Sequence, residues 1–290
     1  VFGGDGDAPI LTGTAYSGTA LSGCKPTTAP PFEDSKALMG YTDDCSSITS
    51  LIVTETGTAT IGGTDCGWTV TYTYDVSDGC SGNVTSGFYS ESGSDTTAPT
   101  LTGTAYSGTA INGCKPSTVT APAWNTANAK MGYEDNCTAD IDITAILIGT
   151  TITGDDCGWT VTYFYNLSDL CNNTTSIKSY VEFGSDMEKP DQTGTPYSDV
   201  APHDYCEFDS ANIPPPLAFK ASNAYMGYTD NCTTNASDFI VTKTNTEITG
   251  DDCGWTLTYT YSIEDKCGNI TTGQKYSHSG ENQKGPTFNT

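Results

Sequence analysis

Cysteine is the residue type whose number and spacing point most strongly to chemistry in this chain. The 290 residues contain 12 cysteines but only 2 histidines. Zinc sites usually need close pairs such as Cys-x2-Cys, often with histidine, and no such pair occurs. An even number of cysteines at recurring spacing instead predicts disulfides and an oxidising, extracellular setting. The cysteines form three sets of four: Cys24, Cys45, Cys66, Cys80; Cys114, Cys137, Cys157, Cys171; Cys206, Cys232, Cys253, Cys267.

Aspartates recur at three equivalent places relative to these cysteines. One stands before the linker proline, one before the second cysteine of each set, and one before the fourth. If these places share one end of a domain, the carboxylates repel one another unless a cation joins them, and Ca²⁺ accepts six to eight oxygen ligands. Calcium at the junctions between repeats is therefore one hypothesis, and the alternative is that aspartate caps its own backbone in turns. The residues are Asp5, Asp43, Asp78, Asp95, Asp135, Asp169, Asp186, Asp230 and Asp265.

The cysteine sets belong to a repeat of about 90 residues. Residues 8–28 read APILTGTAYSGTALSGCKPTT, residues 98–118 read APTLTGTAYSGTAINGCKPST, and a looser copy begins at Lys189. We therefore predict three repeats, at 8–95, 96–186 and 187–281. Residues 1–7 match the end of a preceding repeat and 282–290 the start of a following one, so we expect a part of a longer array. Tandem modules of this size usually act as spacers or present a surface.

The net charge of −24 limits the classes of partner. The chain contains no arginine, and a nucleic-acid-binding protein needs a cationic surface to displace counterions. The same argument makes an anionic membrane surface an unfavourable partner. No stretch reaches the roughly 18 apolar residues of a membrane span. We expect neighbouring repeats or identical chains in a filament as partners, and surface glycans as a further possibility.

Alternating residues predict one strong strand in each repeat, directly after the third cysteine. In Trp68–Tyr74, large apolar residues occupy one face and threonines the other, which is the period of a half-buried strand. The same pattern recurs in 159–165 and 255–261. Met39, Met131 and Met226 each begin a Met-Gly-Tyr that we place in a shorter strand. Six or seven short strands per repeat, separated by turn residues, predict all-β, immunoglobulin-like sandwiches arranged as a rod.

This strand order restricts the disulfides within one repeat. A strand rises about 3.3 Å per residue and holds the third and fourth cysteines more than about 20 Å apart, whereas a disulfide needs Cα atoms within about 7 Å. Strand order places the first and third cysteines at one pole and the second and fourth at the other. First–fourth with second–third remains the alternative to the preferred pairing. The preferred pairs are Cys24–Cys66, Cys45–Cys80, Cys114–Cys157, Cys137–Cys171, Cys206–Cys253 and Cys232–Cys267.

Aromatic residues at fixed places have two interpretations. Trp68, Trp159 and Trp255 follow a Cys-Gly pair, which favours core packing over sugar stacking. Phe32, Trp124 and Phe219 each precede the Met-Gly-Tyr methionine by seven residues, which suggests packing, although exposure in a row would indicate glycan binding. His203 has no counterpart in the other repeats and no nucleophile beside it in sequence. The sequence therefore does not predict an enzyme.

The motifs Asp135-Asn136-Cys137, Asp230-Asn231-Cys232 and Asp265-Lys-Cys-Gly-Asn269 resemble hyalin-repeat-like, immunoglobulin-like modules. Such modules form tandem arrays in very large cell-surface proteins of Bacteroidetes, including gliding-motility adhesins. The resemblance covers the whole chain and implies an exported, non-catalytic surface protein. It also implies O-glycosylation at Asp-Ser/Thr followed by a small or apolar residue, which here selects Thr96 and Ser210. The first repeat departs from the pattern with Asp43-Asp44-Cys45 and Asp78-Gly-Cys80.

Three functional hypotheses follow. The first is a structural segment of an extracellular adhesin or surface filament, acting as a disulfide-stapled spacer. The second is an array that binds glycans or a partner through loop aromatics. The third is a subunit that polymerises when its C-terminal segment adds a strand to the next subunit.

Overall fold

The computed structural model describes residues 5–200, 203–206 and 208–285. Strands account for 44% of the structure and helices for 8%, which confirms the all-β prediction. Two compact units divide the chain. One comprises the described residues of 1–106, 124–149 and 164–180, and the other those of 107–123, 150–163 and 181–290. All five boundaries between these segments fall within the second repeat, so each unit contains one outer repeat and part of the middle repeat.

The first repeat contains a small and a large sheet. Strand β1 pairs antiparallel with β3, and the larger sheet has the order β2-β7-β6-β4, with β5 also pairing with β6. Strand β2 joins β7 in parallel. The elements are β1 (Ile10–Leu11), β2 (Ala20–Ser22), helix α1 (Asp34–Ala37), β3 (Tyr41–Thr42), a 3-10 turn (Ile48–Ser50), β4 (Ile52–Glu55), β5 (Thr60–Thr64), β6 (Gly67–Ser77) and β7 (Val84–Ser94).

The second repeat has the same element order, with one long strand in place of β4 and β5. Its small sheet pairs β8 with β10, and its larger sheet has the order β11-β12-β13-β9. Strand β9 runs parallel to β13. The elements are β8 (Thr100–Leu101), β9 (Ala110–Asn112), helix α2 (Thr126–Lys130), β10 (Tyr133–Glu134), β11 (Thr144–Asp155), β12 (Gly158–Ser168) and β13 (Thr174–Ser185).

The third repeat follows this plan with a longer connection before its helix. Strand β14 pairs with β16, and the larger sheet has the order β15-β19-β18-β17. Strand β15 is parallel to β19, as β2 is to β7, although Tyr205 replaces the glycine before the first cysteine. The elements are β14 (Asp191–Gln192), β15 (His203–Asp204), helix α3 (Ala221–Ala224), β16 (Tyr228–Thr229), β17 (Ile240–Asp251), β18 (Gly254–Glu264), β19 (Ile270–Glu281) and two 3-10 turns (Pro215–Leu217, Ala236–Asp238).

Alternation along the predicted strong strand sets the position of the core. In β6, buried and more exposed residues alternate over the whole strand. Trp68, Trp159 and Trp255 are only 6%, 4% and 2% exposed, which confirms the prediction of core tryptophans. At about 25 cal/mol per Å² of apolar surface, rings of this size contribute more burial free energy than other residues of so small a core.

The second aromatic set also packs inward. Phe32 contacts Tyr72 and Tyr89 of the large sheet, with ring centroids 6.1 and 5.6 Å apart. Trp124 stacks on Tyr180 at 5.4 Å. Phe219, the equivalent residue of the third repeat, stacks on Tyr276 at 5.7 Å. All three side chains are half-buried, and these contacts confirm their predicted packing role.

Only the tyrosine of the Met-Gly-Tyr motif lies in the short strand that the sequence predicts for the whole motif. Strand β3 begins at Tyr41, and Met39 lies in the turn after α1 with 45% exposure. Gly40 has φ +86, a conformation that residues with a Cβ rarely adopt, and a Cβ there would lie 2.8 Å from the Thr14 carbonyl oxygen. The motif is therefore a helix-to-strand turn that brings the tyrosine into the core.

Candidate functional site: the junctions between repeats

The disulfides join neighbouring repeats. All six intra-repeat pairs predicted from strand order are therefore wrong for this structure: Cys24–Cys66, Cys45–Cys80, Cys114–Cys157, Cys137–Cys171, Cys206–Cys253 and Cys232–Cys267. The observed pairs have Cα separations of 4.9 to 5.2 Å and sequence separations of 105 to 118 residues. They are Cys24–Cys137, Cys66–Cys171, Cys114–Cys232 and Cys157–Cys267.

A single rule describes the four bridges. The first cysteine of a repeat bonds to the second cysteine of the next repeat, and the third bonds to the fourth of the next. The predicted poles are retained, since Asp65 beside Cys66 accepts the amide hydrogen of Lys25 beside Cys24 at 2.7 Å. The error lay in allowing each pole to bond only within its own repeat. Each pole instead meets the opposite pole of a neighbour, whose cysteines complete the bridges.

Tryptophan orients the first cysteine at this pole. The indole N–H of Trp68 donates to the carbonyl oxygen of Gly23 at 2.9 Å, directly before Cys24. Trp159 makes the same bond to Gly113 at 2.8 Å. Close approach is possible because the facing residue on the neighbouring strand is a glycine, and a Cβ on Gly93 would lie 2.2 Å from the Trp68 ring.

Backbone hydrogen bonds extend the contact around the bridges. In the first unit, the amide of Asp95 donates to the carbonyl oxygen of Asp65 at 2.7 Å. In the second unit, Asp186 makes the equivalent bond to Asp156 at 2.8 Å. The linker between repeats is thus tied to the turn before the third cysteine, and the aspartate side chain lies at the junction.

All nine recurring aspartates cap the backbone. Each accepts, through Oδ1, the amide hydrogen of the residue two positions later, at 2.7 to 3.2 Å, as the turn interpretation predicts. Asp169 and Asp265 illustrate this for the fourth-cysteine turn, where the amide of Cys171 or Cys267 donates at 2.7 Å. Capping is therefore a sufficient explanation of Oδ1 at each position.

The second carboxylate oxygen divides these aspartates into two groups. In Asp78, Asp169 and Asp265, Oδ2 accepts a hydrogen bond from an asparagine side chain at 2.7 to 2.8 Å. In the other six, Oδ2 is buried and has no hydrogen-bond partner among the described residues. Those six are the linker and second-cysteine aspartates: Asp5, Asp43, Asp95, Asp135, Asp186 and Asp230.

Asparagine brings these groups together. The side-chain amide of Asn173 donates both to Oδ2 of Asp169 at 2.7 Å and to the carbonyl oxygen of Asp95 at 3.2 Å. Asn269 joins Asp265 and Asp186 in the same way, at 2.8 and 3.3 Å. The predicted grouping of linker and fourth-cysteine aspartates is therefore present in both units.

Burial makes this clustering of carboxylates costly. Asp186 is 4% exposed and Asp265 1% exposed. Burial raises the pKa of Asp186, and the Asp230 and Asp265 carboxylates add to that increase, although the hydrogen bond from the Glu188 amide opposes it. An uncompensated buried carboxylate oxygen favours either a proton or a cation.

The donor set fits a hard cation. One ligand atom each of Asp186, Asp265 and Cys267 lies within 4.8 Å of the other two. Cys267 is disulfide-bonded and is not available as a thiolate, so the available ligands are oxygens. Carboxylate and carbonyl oxygens suit Ca²⁺, whereas zinc prefers nitrogen and thiolate sulfur. Groups that combine Asp65 or Asp156 with two cysteines use sulfurs that already form bridges.

A histidine pair in the third repeat was missed. His203 Nε2 and His278 Nδ1 lie 3.0 and 3.2 Å from Oδ1 of Asp199. His278 is 3% exposed and occupies the strand position where the first repeat has Glu91. The sequence showed only an unmatched His203, because Asp199 and His278 are 79 residues apart (278 − 199) and on different strands or loops.

The predicted glycosylation residues are accessible. Thr96 and Ser210 are both exposed. The hydroxyl of Thr96 also makes a hydrogen bond to Ser22. Glycosylation at either residue stays a prediction.

Comparison of the chain with protein-family models and with curated protein sequences gave no match. Within the described ranges, no helix has the length and apolar character required to cross a bilayer. Four disulfides indicate an oxidising, non-cytoplasmic compartment, because cytosolic reductants keep thiols reduced.

Proposed function

We propose that this chain is a structural segment of an extracellular adhesin or surface filament, in which immunoglobulin-like repeats follow one another as a rod. The observation that carries the proposal is that every disulfide among the described residues connects one repeat to the next. A protein that only needed stable single domains would gain as much from bridges inside each domain. Bridges between domains instead resist separation of the repeats, which is what a spacer under tension requires.

Force applied to the chain ends would pass through the bridges. It enters at the first repeat, crosses from Cys24 to Cys137, follows the chain to Cys157 and crosses to Cys267. The backbone between Cys24 and Cys137 carries little of this load. Each bridge closes a loop of more than 100 residues, for which the chain-entropy model gives an upper bound of about 4.7 kcal/mol.

The glycan-binding alternative receives less support. Its aromatic candidates Phe32, Trp124 and Phe219 have their rings against core tyrosines, where they are not free to stack on a sugar. The strand-addition alternative concerns the C-terminal segment, of which residues 286–290 lie outside the described residues.

Pulling single molecules by their ends tests the structural proposal. The reduced, unfolded chain should extend by roughly 3.3–3.6 Å per residue over its 290 residues. The oxidised chain should extend by much less, because the bridged segments cannot lengthen. A matched variant with Cys45→Ser and Cys80→Ser should behave like the oxidised parent. Equal extension of the oxidised and reduced chains would show that the bridges do not carry the applied force.

We further infer that Ca²⁺ stiffens the junctions. The support is the set of buried Oδ2 atoms without hydrogen-bond partners, found in the linker and second-cysteine aspartates of all three repeats. Asp95 and Asp135 would hold the ion in the first unit, and Asp186 and Asp230 in the second. Oδ2 of the fourth-cysteine aspartate, already bonded to asparagine, is a further candidate ligand. A bound cation would replace carboxylate repulsion with attraction.

A further inference from the structure

A cluster of two histidines and one aspartate lies inside the third repeat. Oδ1 of Asp199 is 3.0 Å from Nε2 of His203 and 3.2 Å from Nδ1 of His278. The hydroxyl oxygen of Tyr197 lies 3.4 Å from Oδ1 of Asp199 and 3.4 Å from Nδ1 of His278. Two imidazole nitrogens and two oxygens therefore converge on one small volume, and these are the only 2 histidines of the chain.

The cluster results from changes at three places that the repeats share. In the register of the large sheet, His203 takes the place of Leu21, and His278 takes the place of Glu91. Asp199 stands where the first two repeats have the glycine of their Tyr-Ser-Gly motif. Changes scattered along the sequence thus place both imidazoles against the same carboxylate oxygen, which indicates a shared role.

The charges at this place differ between the first and third repeats. In the first repeat, the Lys36 ammonium group lies 2.7 Å from the Glu91 carboxylate. The helix of the third repeat has Asn223 in the place of Lys36. The Asp199 side chain is only 11% exposed, and a carboxylate with so little solvent around it favours a positive charge as partner. An ion held by Asp199 and the two imidazoles would supply that charge.

The set of donor atoms fits zinc. Imidazole nitrogen and carboxylate oxygen are zinc ligands at about 2.0–2.2 Å, and a tetrahedron with such bonds separates its ligand atoms by about 3.3–3.6 Å. The measured separations of 3.0, 3.2 and 3.4 Å need to widen only slightly to reach that geometry. Calcium instead prefers six to eight oxygen ligands. The cluster therefore differs in chemistry from the aspartates at the junctions.

We propose that Asp199, His203 and His278 bind Zn²⁺, with a water molecule beside the Tyr197 hydroxyl as the fourth ligand. The three side chains offer ligand atoms that all lie within 4.8 Å of one another. The His203 side chain is 26% exposed, which gives the ion a path from solvent. The ion would tie the segment before β15 to β19. The site goes beyond the proposed structural function and does not depend on it, because its residues all belong to the third repeat.

Hydrogen bonds without an ion are the alternative explanation of the cluster. Each imidazole can donate an N–H to Oδ1 of Asp199. Zinc binding through Nδ1 of His278 instead places the ring proton on Nε2, which is buried and has no hydrogen-bond partner among the described residues. Loss of the usual acceptor for that proton weakens metal binding by about 10–100-fold. We therefore expect a lower affinity than in zinc sites that have this acceptor.

A zinc titration of the thiol-blocked chain tests the proposal. The exposed free thiols are first alkylated, because thiolates also bind zinc, and millimolar calcium is present to occupy the junction carboxylates. NMR signals of the imidazole groups then report this site alone, since the chain has no other histidine. We expect the signals of both histidines to shift and to reach an end point at one equivalent of Zn²⁺. The melting temperature should rise with the same stoichiometry.

Two variants remove ligands, and a third is the matched control. His203→Leu introduces the residue type of the first repeat at a partly exposed position, and His278→Gln removes the buried ligand. Both should lose the end point at one equivalent, and His203→Leu decides the matter where His278→Gln does not fold. Asp204→Asn changes an exposed carboxylate next to His203 but keeps the acceptor for the Gln283 amide, so it should bind zinc as the parent does.

Two results would overturn the proposal. Imidazole signals that stay fixed at several equivalents of Zn²⁺ would show that hydrogen bonds alone hold the cluster. Equal zinc binding by the parent and by His203→Leu would place the ion elsewhere. Both results leave the disulfides between repeats, and the structural function inferred from them, unaffected.

Discussion

The indole N–H of Trp68 donates a hydrogen bond to the carbonyl oxygen of Gly23. This bond connects the core of the first repeat to Cys24, which forms a disulfide with the next repeat. The indole is buried in the sheet, yet its N–H ends 2.9 Å from the oxygen directly before Cys24. The same bond recurs in the second and third repeats at 2.8 and 3.0 Å. Core packing and bridge geometry are therefore coupled at one side chain.

Gly93→Ala tests this coupling. Its Cβ would lie 2.2 Å from the Trp68 ring and 2.7 Å from the Leu21 carbonyl oxygen, so the ring must move. We expect a loss of about 1–3 kcal/mol in the free energy of unfolding, as for other overpacked cores. Gly67→Ala is the control, since its Cβ would meet nothing within 4 Å. Chemical denaturation of both variants measures the difference, and equal stability would contradict the packing argument.

Removing one bridge should separate the observed pairing from pairing within repeats. The double variant Cys66→Ser and Cys171→Ser should lose about 2–4 kcal/mol in the free energy of unfolding, because the bridge closes a loop of 105 residues. The control double variant, Cys45→Ser and Cys80→Ser, removes two cysteines that are free here and should change stability little. The denaturant midpoints of the two variants distinguish bridges between repeats from bridges within a repeat. A large loss of stability in the control variant would favour a Cys45–Cys80 bridge.

Calcium should stabilise the chain through the buried carboxylate pairs. We expect millimolar calcium to raise the melting temperature relative to EDTA. In Asp186→Asn, the side chain keeps its Oδ1 cap but loses the charge that repels Asp230 and binds the ion. This variant should be more stable than the parent in EDTA, by roughly 1–3 kcal/mol, and respond less to calcium.

Asp209→Asn is the matched control for the calcium test. Asp209 is exposed and caps the amide of Ala211 at 2.9 Å, so it shares the turn geometry but not the burial. Its calcium response should equal that of the parent. A melting curve of the parent that is unmoved by calcium and by EDTA would exclude the cation.

Glu91 should make the first repeat sensitive to acid. It is 4% exposed and accepts hydrogen bonds at 2.7 Å from the Tyr16 hydroxyl and the Lys36 ammonium group. Burial alone would raise its pKa, but the Lys36 and Tyr16 hydrogen bonds outweigh it and lower the pKa below 4.5. A lowered folded-state pKa stabilises the protein above the unfolded-state pKa, and the stabilisation is lost as pH falls through the folded-state pKa.

Glu91→Gln isolates this contribution. The variant should be less stable at neutral pH, because the half-buried Lys36 loses one of its two carboxylate partners and keeps only Glu33. Its stability should also vary less below about pH 4.5. The control is Glu55→Gln, which replaces an exposed glutamate of the same repeat. Parallel pH profiles for the parent and Glu91→Gln would contradict the assignment.

The sequence was sufficient for the parts of the fold that follow from local patterns. Alternation from Trp68 to Tyr74 predicted the central strand and its buried face, and the aspartates before Cys80, Cys171 and Cys267 predicted capped turns. The poles to which the cysteines belong also followed from strand order, because an extended strand keeps its ends apart.

Connectivity between repeats could not be obtained in the same way. Strand order places Cys24 and Cys66 at the same pole of the first repeat, but it does not show which repeat lies against that pole. Cys66 and Cys137 of the next repeat are therefore equally acceptable partners for Cys24. The histidine contact was missed for a similar reason. His278 replaces a glutamate, so only the tertiary structure shows that Asp199 takes over the negative charge beside it.

Bridges that run between repeats also change the outcome of proteolysis. Val119 and Val200 are 91% and 95% exposed and are natural positions for a protease to cut. A cut at Val119 would leave both fragments connected by the Cys24–Cys137, Cys66–Cys171 and Cys114–Cys232 bridges. A protein nicked in this way would keep its mass and connection until a reductant arrived, so its persistence would depend on redox conditions more than on an intact backbone.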